Sequence, residues 1–369
     1  MKILFCAPDL DRGGSAKSLS ILIGRLRSRH EVHILSMSPY KDKGITRRYQ
    51  EAGVPISIFT WGWLPVNMVG CRVDVRNSRE LCRRLRPHVP EFRDHAAAFD
   101  AVCHNSYVAT SLAPLVPAHI PQYLIAREVL DENSPGLSGA RHLLRSHIRR
   151  AAAIGPVEGA QLARLGIRHK IIFNCSACTP EDAPLPDFSR LHFGVFAQLV
   201  PDKGLDTLLE ACRLAAPGLR RANACVHVFG AGAPGYEKKL GDDASASGIG
   251  DIFRLEGWTD DAQAKMKSMH CIVRPDATGS PWGRDVIEAM SMGRPVLATG
   301  SQPIFVRDGE TGALVPPNDP AAMAGALTRL SENHAKISQM GKCARDFASR
   351  NFDPDINCSR LEKYFFCPS

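Results

Sequence analysis

The sequence predicts an α/β protein made of two doubly wound domains, each a parallel sheet with helices on both faces. Three observations predict this fold class. The chain has 369 residues, which is long for one hydrophobic core and favours two. Short apolar segments typical of buried strands alternate with segments of helical periodicity. The alternation stops at residues 176–190, where three prolines fall in a stretch without periodicity, and then resumes.

The first half, residues 1–175, is predicted to form the N-terminal domain. Its expected strands lie at 3–8, 30–38, 54–59, 100–106, 121–128 and 170–174. Its expected helices lie at 16–28, 78–86, 107–115, 140–152 and 158–165. The final segment, 354–369, also has a helical pattern, and we expect it to join this domain.

Residues 176–190 are interpreted as the interdomain linker, and residues 191–353 as the second domain. Strands are expected there at 192–199, 224–230, 251–257 and 270–276. Helices are expected at 204–215, 235–246, 260–268, 319–333 and 334–350. Doubly wound sheets bind ligands at the carboxyl ends of their strands, so we expect the two domains to face a cleft there.

Composition limits the classes of protein that are possible. Hydrophobic residues at 44% and charged residues at 23% exclude wholesale disorder, and the sequence has no apolar run of the roughly 18 residues that a transmembrane helix needs. The start, MKILFCAPDL, has a strand pattern and no signal-peptide cleavage site. Twelve scattered cysteines favour a reducing cytosol and a cytoplasmic protein. The CxxC at Cys175 and Cys178 leaves a redox or zinc role open, but a loop with two thiols is favoured because no second pair follows.

The net charge of the chain is +8, and the basic excess lies in residues 1–190, which hold 26 Lys and Arg against 17 Asp and Glu. Arginines cluster at 76–86 and 141–150, in segments with an amphipathic helical pattern. These clusters indicate either contact with an anionic membrane surface or a phosphorylated acceptor, or a solvated helix face. Nucleic acid is not expected as a partner, because no aromatic platform accompanies the charge.

One stretch, Pro275–Thr299, has the pattern of an anion site. A loop rich in Gly, Ser and Pro runs into an amphipathic helix that is predicted to begin at about Asp285. The first turn of a helix presents N–H groups and the positive end of the helix dipole, which together bind anions. Glu288 lies one turn inside this helix, where its carboxylate can accept hydrogen bonds from hydroxyl groups of the same ligand. The stretch therefore predicts a site for a phosphate beside a ribose.

Four segments in this half follow a known order: residues 196–211, 226–240, 254–276 and 280–326. Together they resemble the retaining, nucleotide-sugar-dependent glycosyltransferases of the GT-B fold, in glycosyltransferase family 4. The resemblance implies two Rossmann-like domains and transfer of a sugar, with retention, from a donor of the UDP or GDP type to a saccharide or lipid-linked acceptor. It also implies that no metal and no further cofactor is needed, and it suggests bacterial polysaccharide or glycoconjugate assembly, with a possible peripheral place on the plasma membrane.

The resemblance also implies roles for residues of the second domain. Lys203 would pair with the donor diphosphate, and Glu288 would hold the ribose hydroxyl groups. Their alternatives are a surface turn lysine and an exposed helix carboxylate. The remaining donor-binding candidates are in the matched segments, and backbone N–H groups among them would receive phosphate oxygens; they are Gln198, Gly230, Trp282, Gly283, Arg284 and Asp285.

Two positions depart from the family pattern. Gln198 stands where the family usually has Arg, so phosphate binding should be weaker or be supplied elsewhere, with Arg284 as a candidate. Ser280 stands where the family's signature has the first of two Glu, and Glu288 is the second. A serine hydroxyl can bond a sugar hydroxyl but cannot stabilise positive charge at the anomeric carbon. An unusual donor or altered chemistry, and a non-catalytic homologue, both explain Ser280, and Asp276 is a weak candidate to compensate.

Candidates in the first domain match the family more loosely. Gly13 and Gly14 would let the backbone approach the donor, although a tight turn would have the same sequence. His104 would lie near the transferred sugar as a catalytic residue, and a satisfied core histidine is an equal alternative. Arg127 and Glu128 end a predicted strand and could bind an acidic acceptor or pair with each other.

The function expected from this combination is a retaining glycosyltransferase. Two alternatives remain open: a non-catalytic protein that binds nucleotide sugars, and a sugar-nucleotide epimerase. Loss of turnover in variants of Lys203 and Glu288 would separate the first from an enzyme, and release of a free epimerised sugar nucleotide would identify the second.

Overall fold

The computed structural model describes residues 1–10, 13–39, 45–60, 66–69, 72–75, 86–178 and 183–367. The chain divides into two compact units. Unit 1 comprises Met1–Cys175 with Pro354–Ser369, and unit 2 comprises Ser176–Asp353. Each unit is an α/β structure built on its own parallel sheet, as the alternating pattern predicts.

Unit 1 contains a seven-stranded parallel sheet and a small three-stranded sheet. Its strands are β1 Lys2–Ala7, β2 Glu31–Ser36, β3 Ile56–Ile58, β4 Val66–Val69, β5 Arg72–Val75, β6 Ala101–His104, β7 Gln122–Ala126, β8 Val129–Leu130, β9 Ile148–Ala153 and β10 His169–Ile171. Its first helices are α1 Gly13–Leu26, α2 Ile45–Glu51, α3 Val89–Ala97, α4 Leu137–His147 and α5 Pro156–Leu165. A 3₁₀ segment covers Val108–Leu115, where a helix was predicted.

The large sheet of unit 1 has the order β10-β9-β7-β6-β1-β2-β3. Alternate residues of β1 point to opposite faces, so Ile3 and Phe5 belong to one apolar cluster and Leu4 and Cys6 to another. The first cluster also contains Phe365 of the last helix of the chain, whose ring stacks on Tyr123 at 4.8 Å. The C-terminal segment therefore closes one face of this sheet.

The main departure from prediction in unit 1 is at residues 148–153. A helix was expected over 140–152, but α4 ends at His147 and Ile148–Ala153 forms β9. This strand pairs in parallel with β7 on one side and β10 on the other, and sheet pairing overrides the helical propensity of its three alanines. The small sheet of β4, β5 and β8 was not predicted, and the helix expected at 78–86 lies almost wholly outside the described residues.

Unit 2 contains one six-stranded sheet in which all strands are parallel. Its strands are β11 Leu191–Phe196, β12 Ala224–Phe229, β13 Phe253–Gly257, β14 Cys271–Arg274, β15 Val296–Thr299 and β16 Gly312–Val315. The helices that follow are α6 Leu205–Arg221, α7 Pro234–Ala246, α8 Ala262–Lys267, α9 Arg284–Ser291, α10 Pro320–Ser331, α11 His334–Asn351 and, in unit 1, α12 Pro354–Phe366. In the described part of the chain, no helix has the length and apolar character to cross a membrane.

The segment interpreted as a linker is part of unit 2. Arg294 is fully buried and donates to the carbonyl oxygens of Ala183 at 2.6 Å and Pro184 at 2.8 Å. His270, also buried, bonds the carbonyl oxygen of Asp187 through Nε2 at 3.0 Å. These bonds from buried side chains to the loop carbonyl oxygens fix residues 183–187 to unit 2.

Candidate functional site

The candidate site of unit 2 lies where the strand order of its sheet reverses. The order is β13-β12-β11-β14-β15-β16, so the chain moves outward from β11 in one direction and returns through β14 on the other side. Loops that leave the carboxyl ends of such a pair diverge and open a crevice, which is where doubly wound sheets bind ligands. Lys203 follows β11 and Asp276 follows β14.

The two loops meet at an ion pair and a backbone bond. Lys203 Nζ lies 3.3 Å from Asp276 Oδ2, and the amide of Ala277 donates to the carbonyl oxygen of Asp202 at 3.0 Å. Gly204 has a φ of +67°, and a Cβ there would lie 1.9 Å from the carbonyl oxygen of Pro275. Only glycine therefore lets the Lys203 turn approach the loop after β14 this closely.

Asp276 is the buried centre of this cluster, with 3% of its surface exposed. Its carboxylate accepts from Thr278 Oγ1 at 2.5 Å and from Arg274 Nη2 at 3.2 Å, in addition to Lys203. Burial works to raise the pKa of Asp276, but the positive charges of Arg274 and Lys203 and the bonds from Thr278 outweigh it and lower the pKa. Asp276 is therefore held as an anion, and it places both cations at the sheet edge.

Arg274 links this cluster to the start of α9. Its Nη1 donates to both carboxylate oxygens of Asp285, at 2.8 and 3.0 Å, and its Nε donates to the carbonyl oxygen of Ser280 at 2.8 Å. A Cβ on Gly283 would lie 2.4 Å from Asp285 Oδ1 and 2.5 Å from Arg274 Nη1. The absence of a side chain at Gly283 thus leaves room for the ion pair that fixes the first turn of the helix.

Glu288 lies one turn further along α9 and is 3% exposed. Arg284 Nε and Nη2 donate to Glu288 Oε1 at 3.1 and 2.5 Å. The Arg284 guanidinium, proposed from the sequence as a phosphate ligand in place of Gln198, is therefore engaged with Glu288 in this structure. Sequence reasoning did not predict this pair, although the i,i+4 spacing of opposite charges on a helix was its signal.

Unit 2 also contains the catalytic candidate Ser280 and three further predicted donor-binding residues, Trp282, Gln198 and Gly230. Ser280 Oγ lies 3.5 Å from the carbonyl oxygen of Trp282, and both residues are half-buried. Gln198, just after β11, is exposed. Gly230, just after β12, has a φ of +158°, and a Cβ there would lie 1.8 Å from the carbonyl oxygen of Ala197. Gly230 therefore permits the close approach of the two loops that follow β11 and β12.

A polar network crosses the corresponding edge of the sheet in unit 1. There the order reverses between β1 and β6, and Asn105, which follows β6, donates to Ser15 Oγ at 3.1 Å. Arg127, which follows β7, donates to Asn105 Oδ1 at 2.8 Å and to Asn174 Oδ1 at 2.7 Å. The structure thus places the predicted Arg127 at the reversal point with two asparagines that were not predicted.

His104 is buried at 0% exposure, one residue before this network. Its Nδ1 lies 3.0 Å from the carbonyl oxygen of Ala109, and its Nε2 lies 2.9 Å from Gln122 Oε1. Burial lowers the pKa of His104 to about 4, against the opposing effect of these two bonds. This geometry corresponds to the alternative of a satisfied core histidine, so the structure gives no support to a catalytic role for His104.

The other candidates of unit 1 differ in exposure. Gly13 and Gly14 open α1 and are exposed, and Gly13 has a φ of +85° that favours glycine. Glu128 is 9% exposed and accepts from the amide of Tyr107 at 3.3 Å. Burial raises the pKa of Glu128, opposed by bonds from Ser106 and Tyr107. Glu128 is therefore placed to hold the loop after β6 rather than to meet an acceptor.

The match to known families falls on unit 2. Residues 190–333 match the model of the family described as Glycosyl transferases group 1. The similarity to this family therefore covers most of unit 2. The matched range begins just before β11 and ends just after α10, so it contains the whole cluster around Asp276 and the Arg284–Glu288 pair.

Curated relatives match over about half of the chain. A phosphatidyl-myo-inositol mannosyltransferase of Mycobacterium leprae is 32% identical over 169 residues, which cover 45% of this chain and 43% of that protein. A D-inositol 3-phosphate glycosyltransferase of Streptomyces coelicolor is 32% identical over 199 residues, which cover 52% of this chain and 39% of that protein. The chain therefore spans less than half the length of these relatives.

Solved structures match over the whole chain. Anabaena Alr3699/HepE in complex with UDP has a TM-score of 0.78 at 19% identity, and the same protein with UDP-glucose has a TM-score of 0.77 at 20% identity; both matches cover 99% of each chain. At such identities the likeness concerns the fold alone. The predicted class, two Rossmann-like domains of the GT-B type, is confirmed.

Unit 2 also has a functional candidate that sequence reasoning missed. Trp258 follows β13 and is 70% exposed, and its Nε1 donates to Asp260 Oδ1 at 3.0 Å. It lies at the carboxyl end of a strand two positions from β11, a lateral distance of about 10 Å at normal strand spacing. An exposed indole at a ligand-binding sheet edge can stack on a planar base.

Proposed function

We propose that this protein is a glycosyltransferase that moves a sugar from a nucleoside diphosphate sugar of the UDP or GDP type to a saccharide or lipid-linked acceptor, with retention of anomeric configuration. The observation that carries the proposal is the Lys203–Asp276 pair at the reversal point of the unit 2 sheet. This pair lies within the residues that match the family model, together with the start of α9 and loops whose glycines allow close packing. The names of the relatives, which transfer mannosyl or glycosyl groups, support the same class.

Lys203 is the cation best placed to receive the donor diphosphate. Its side chain is 25% exposed, against 12% for Arg274 and 13% for Arg284, and its contact with Asp276 is long at 3.3 Å. A lysine on a flexible stem can turn from Asp276 to a phosphate oxygen at little cost, whereas Arg274 is held by Asp285, Asp276 and the Ser280 carbonyl. Lys203 would then balance the charge of the departing diphosphate, which is how such a reaction gains rate without a metal.

The start of α9 would bind the remaining phosphate oxygens. The first N–H groups of a helix lack intrahelical acceptors, so those of α9 can donate to phosphate oxygens. Glu288, oriented by Arg284, would accept hydrogen bonds from the ribose hydroxyl groups. Trp258 is a candidate for contact with the base on the other side of β11.

The transferred sugar would meet Ser280 rather than a carboxylate. Among the described residues, the Ser280 hydroxyl has one long contact, 3.5 Å to the Trp282 carbonyl oxygen, so it can turn to donate to a sugar hydroxyl. In unit 1, Arg127 is a candidate for contact with an acidic or hydroxyl-rich acceptor. His104 has no role in this proposal, because both ring nitrogens are bonded within the core of unit 1. The names of the two relatives suggest inositol-containing acceptors in bacterial glycoconjugate assembly.

The proposal is tested by ligand screening followed by turnover. A thermal-shift screen of the full chain with UDP, GDP, ADP and their common sugars identifies the preferred nucleotide, because binding to the native state raises Tm. Release of nucleoside diphosphate from the matching sugar is then measured with wild type, Lys203→Ala and Lys238→Ala. Lys238 is an exposed lysine of the same unit, paired with Asp242, and serves as the control.

A binding protein without turnover is the second candidate, favoured by Ser280 and Gln198, which both remove a charged group that the family pattern has. It predicts normal nucleotide binding and no release of nucleoside diphosphate with any donor. Formation of an epimerised sugar nucleotide without transfer would favour an epimerase instead. Transfer that Lys203→Ala abolishes excludes both.

A further inference from the structure

One cavity of unit 1 has Lys or Arg at half of the positions that line it. It has a volume of about 490 Å³ and lies at the open edge of the seven-stranded sheet, where β10 and the end of α12 meet. Five Lys and Arg residues line it, and no Asp or Glu is among the described residues that do; the five are Arg150, Arg168, Lys170, Arg360 and Lys363. None of them belongs to the network of Asn105 and Arg127.

Most of these cations lack an acidic partner. Arg168, Lys170 and Lys363 make no ion pair within the described part of the chain, whereas nearby cations of unit 1 do, such as Arg29 with Glu362. Arg360 donates to the amide oxygen of Asn357 at 3.1 Å, which leaves its charge uncompensated. Like charges around one concave surface repel each other and concentrate anions from solution. The uncompensated positive charge of the cavity therefore favours the binding of an anion.

Tyr364 gives the cavity a buried polar group without a partner. The residue is 7% exposed and lines the cavity, and its hydroxyl has no hydrogen-bond partner among the described residues. Two cations lie close to its ring, with Arg150 Cζ at 5.5 Å and Lys170 Nζ at 5.0 Å from the ring centre. Buried hydroxyl groups are almost always bonded, so this one indicates a missing acceptor.

We propose that this cavity is a binding site for a small phosphorylated molecule, separate from the sugar-transfer site of unit 2. Guanidinium groups bind phosphate oxygens in bidentate fashion, and Arg168 and Arg360 are exposed at the rim for this purpose. The Tyr364 hydroxyl would donate to a phosphate oxygen deeper in the cavity. Ile171, 46% exposed, and the adjoining Ile172 form an apolar wall for the carbon part of the ligand.

The test is calorimetric titration of the full chain with inorganic pyrophosphate. Because pyrophosphate also resembles the donor diphosphate, we expect two binding events, one lost in Lys203→Ala and the other in Arg168→Gln/Lys170→Gln. The event assigned to this cavity should weaken at least about tenfold in the double variant and about threefold in Tyr364→Phe, which keeps the ring and removes only the hydroxyl. Raising the NaCl concentration should also weaken this binding event, since four of the five cations are exposed.

Arg141→Gln/Arg145→Gln is the matched control, because it removes the same charge from another groove of the same unit. An equal loss in this control, or unchanged binding in Arg168→Gln/Lys170→Gln, overturns the proposal. Sedimentation with phosphatidylglycerol vesicles separates the two sources of phosphate. Vesicle binding that needs Arg168 and Lys170, with no binding of free pyrophosphate, would overturn the small-molecule site in favour of a lipid surface. If Lys203→Ala loses one pyrophosphate binding event and keeps the other, the result supports two separate sites.

Discussion

Lys203 Nζ lies 3.3 Å from Asp276 Oδ2, across the point at which the strand order of unit 2 reverses. The two residues are 73 positions apart in sequence, on loops that leave different strands. Asp276 is buried and is held as an anion by Arg274 and Thr278, while Lys203 is partly exposed. Asp276 therefore holds the positive charge of Lys203 at the sheet edge, where a bound diphosphate can replace Asp276 as its partner.

Replacement of Lys203 should weaken nucleotide binding more than it weakens the fold. Lys203→Ala removes the exposed cation, and loss of one charge-assisted contact of about 2 kcal/mol corresponds to roughly a 30-fold rise in the Kd of the preferred nucleoside diphosphate. Calorimetric titration measures this, with Lys238→Ala as the control that should bind like wild type. A Kd for Lys203→Ala within about twofold of wild type would contradict the role given to Lys203.

Glu288 should be sensitive to the ribose hydroxyl groups in particular. Glu288→Gln keeps the size of the side chain but loses the anion that accepts strong hydrogen bonds, so binding of the preferred nucleoside diphosphate should weaken roughly tenfold. The 2′,3′-dideoxy analogue of this nucleoside diphosphate should bind wild type and Glu288→Gln with nearly equal affinity, because it lacks the ribose hydroxyl groups that Glu288 would contact. Glu310→Gln changes an exposed carboxylate paired with Arg307 and is the control. A similar loss for both ligands would mean that Glu288 only supports the helix.

Two glycines with nearly equal φ values should differ in their tolerance of a side chain. Gly204 and Gly248 have φ values of +67° and +64°, but a Cβ on Gly204 meets the Pro275 carbonyl oxygen, whereas a Cβ on Gly248 meets nothing within 4 Å. Gly248→Ala should cost about 1 kcal/mol of unfolding free energy from backbone strain alone. Gly204→Ala should cost about 3 kcal/mol or more, because the loops must separate. Urea unfolding measures both, and equal costs would show that the close approach of the loops is not needed.

A buried carboxyl in unit 1 should make stability depend on pH. Glu158 is 3% exposed with no hydrogen-bond partner for Oε2 among the described residues, and burial raises its pKa to about 7, with a smaller contribution from Glu128. The folded state therefore binds this proton more tightly than the unfolded state, so the contribution of Glu158 is most favourable at low pH and is lost as pH rises from about 4.5 to above 7.

Glu158→Gln removes this titration. Its unfolding free energy relative to wild type should rise by about 2 kcal/mol between pH 5 and pH 8. Denaturant unfolding at the two pH values gives the difference, and Glu132→Gln, at an exposed carboxylate of the same unit, should show no such change. A difference between Glu158→Gln and wild type that is the same at both pH values would place the folded-state pKa near its ordinary value.

The sequence predicted the elements of the proposed donor site in unit 2 more completely than the polar network of unit 1. In Pro275–Thr299, turn residues and helical periodicity are local signals, so the loop, the helix that begins at Arg284 and the buried Glu288 were all predictable. The Arg284–Glu288 bond was readable from its spacing but was not predicted. The bonds of Asn105 to Ser15 and of Arg127 to Asn174 join residues that are far apart in sequence, and nothing in a single sequence marks them.

The same difference between local and long-range signals explains where the predicted fold and the predicted site differ from the structure. Residues 148–153 have helix-forming alanines, and only their pairing with β7 and β10 makes them a strand. His104 ends a strand at the binding edge, which made it a reasonable site candidate, but its bond to Gln122 in the neighbouring strand takes it into the core. Local signals therefore predict elements well, whereas side-chain partners depend on which strands become neighbours.

The most direct test of the central claim is donor turnover with product analysis. Wild type and Lys203→Ala are incubated with the preferred nucleoside diphosphate sugar and a panel of saccharide and inositol-containing acceptors, and nucleoside diphosphate release and the anomeric configuration of the product are measured. The account predicts acceptor-dependent release by wild type, a product that retains the donor's configuration, and at least about a tenfold lower rate in Lys203→Ala. Tight binding of the nucleotide with no release from any donor would contradict it.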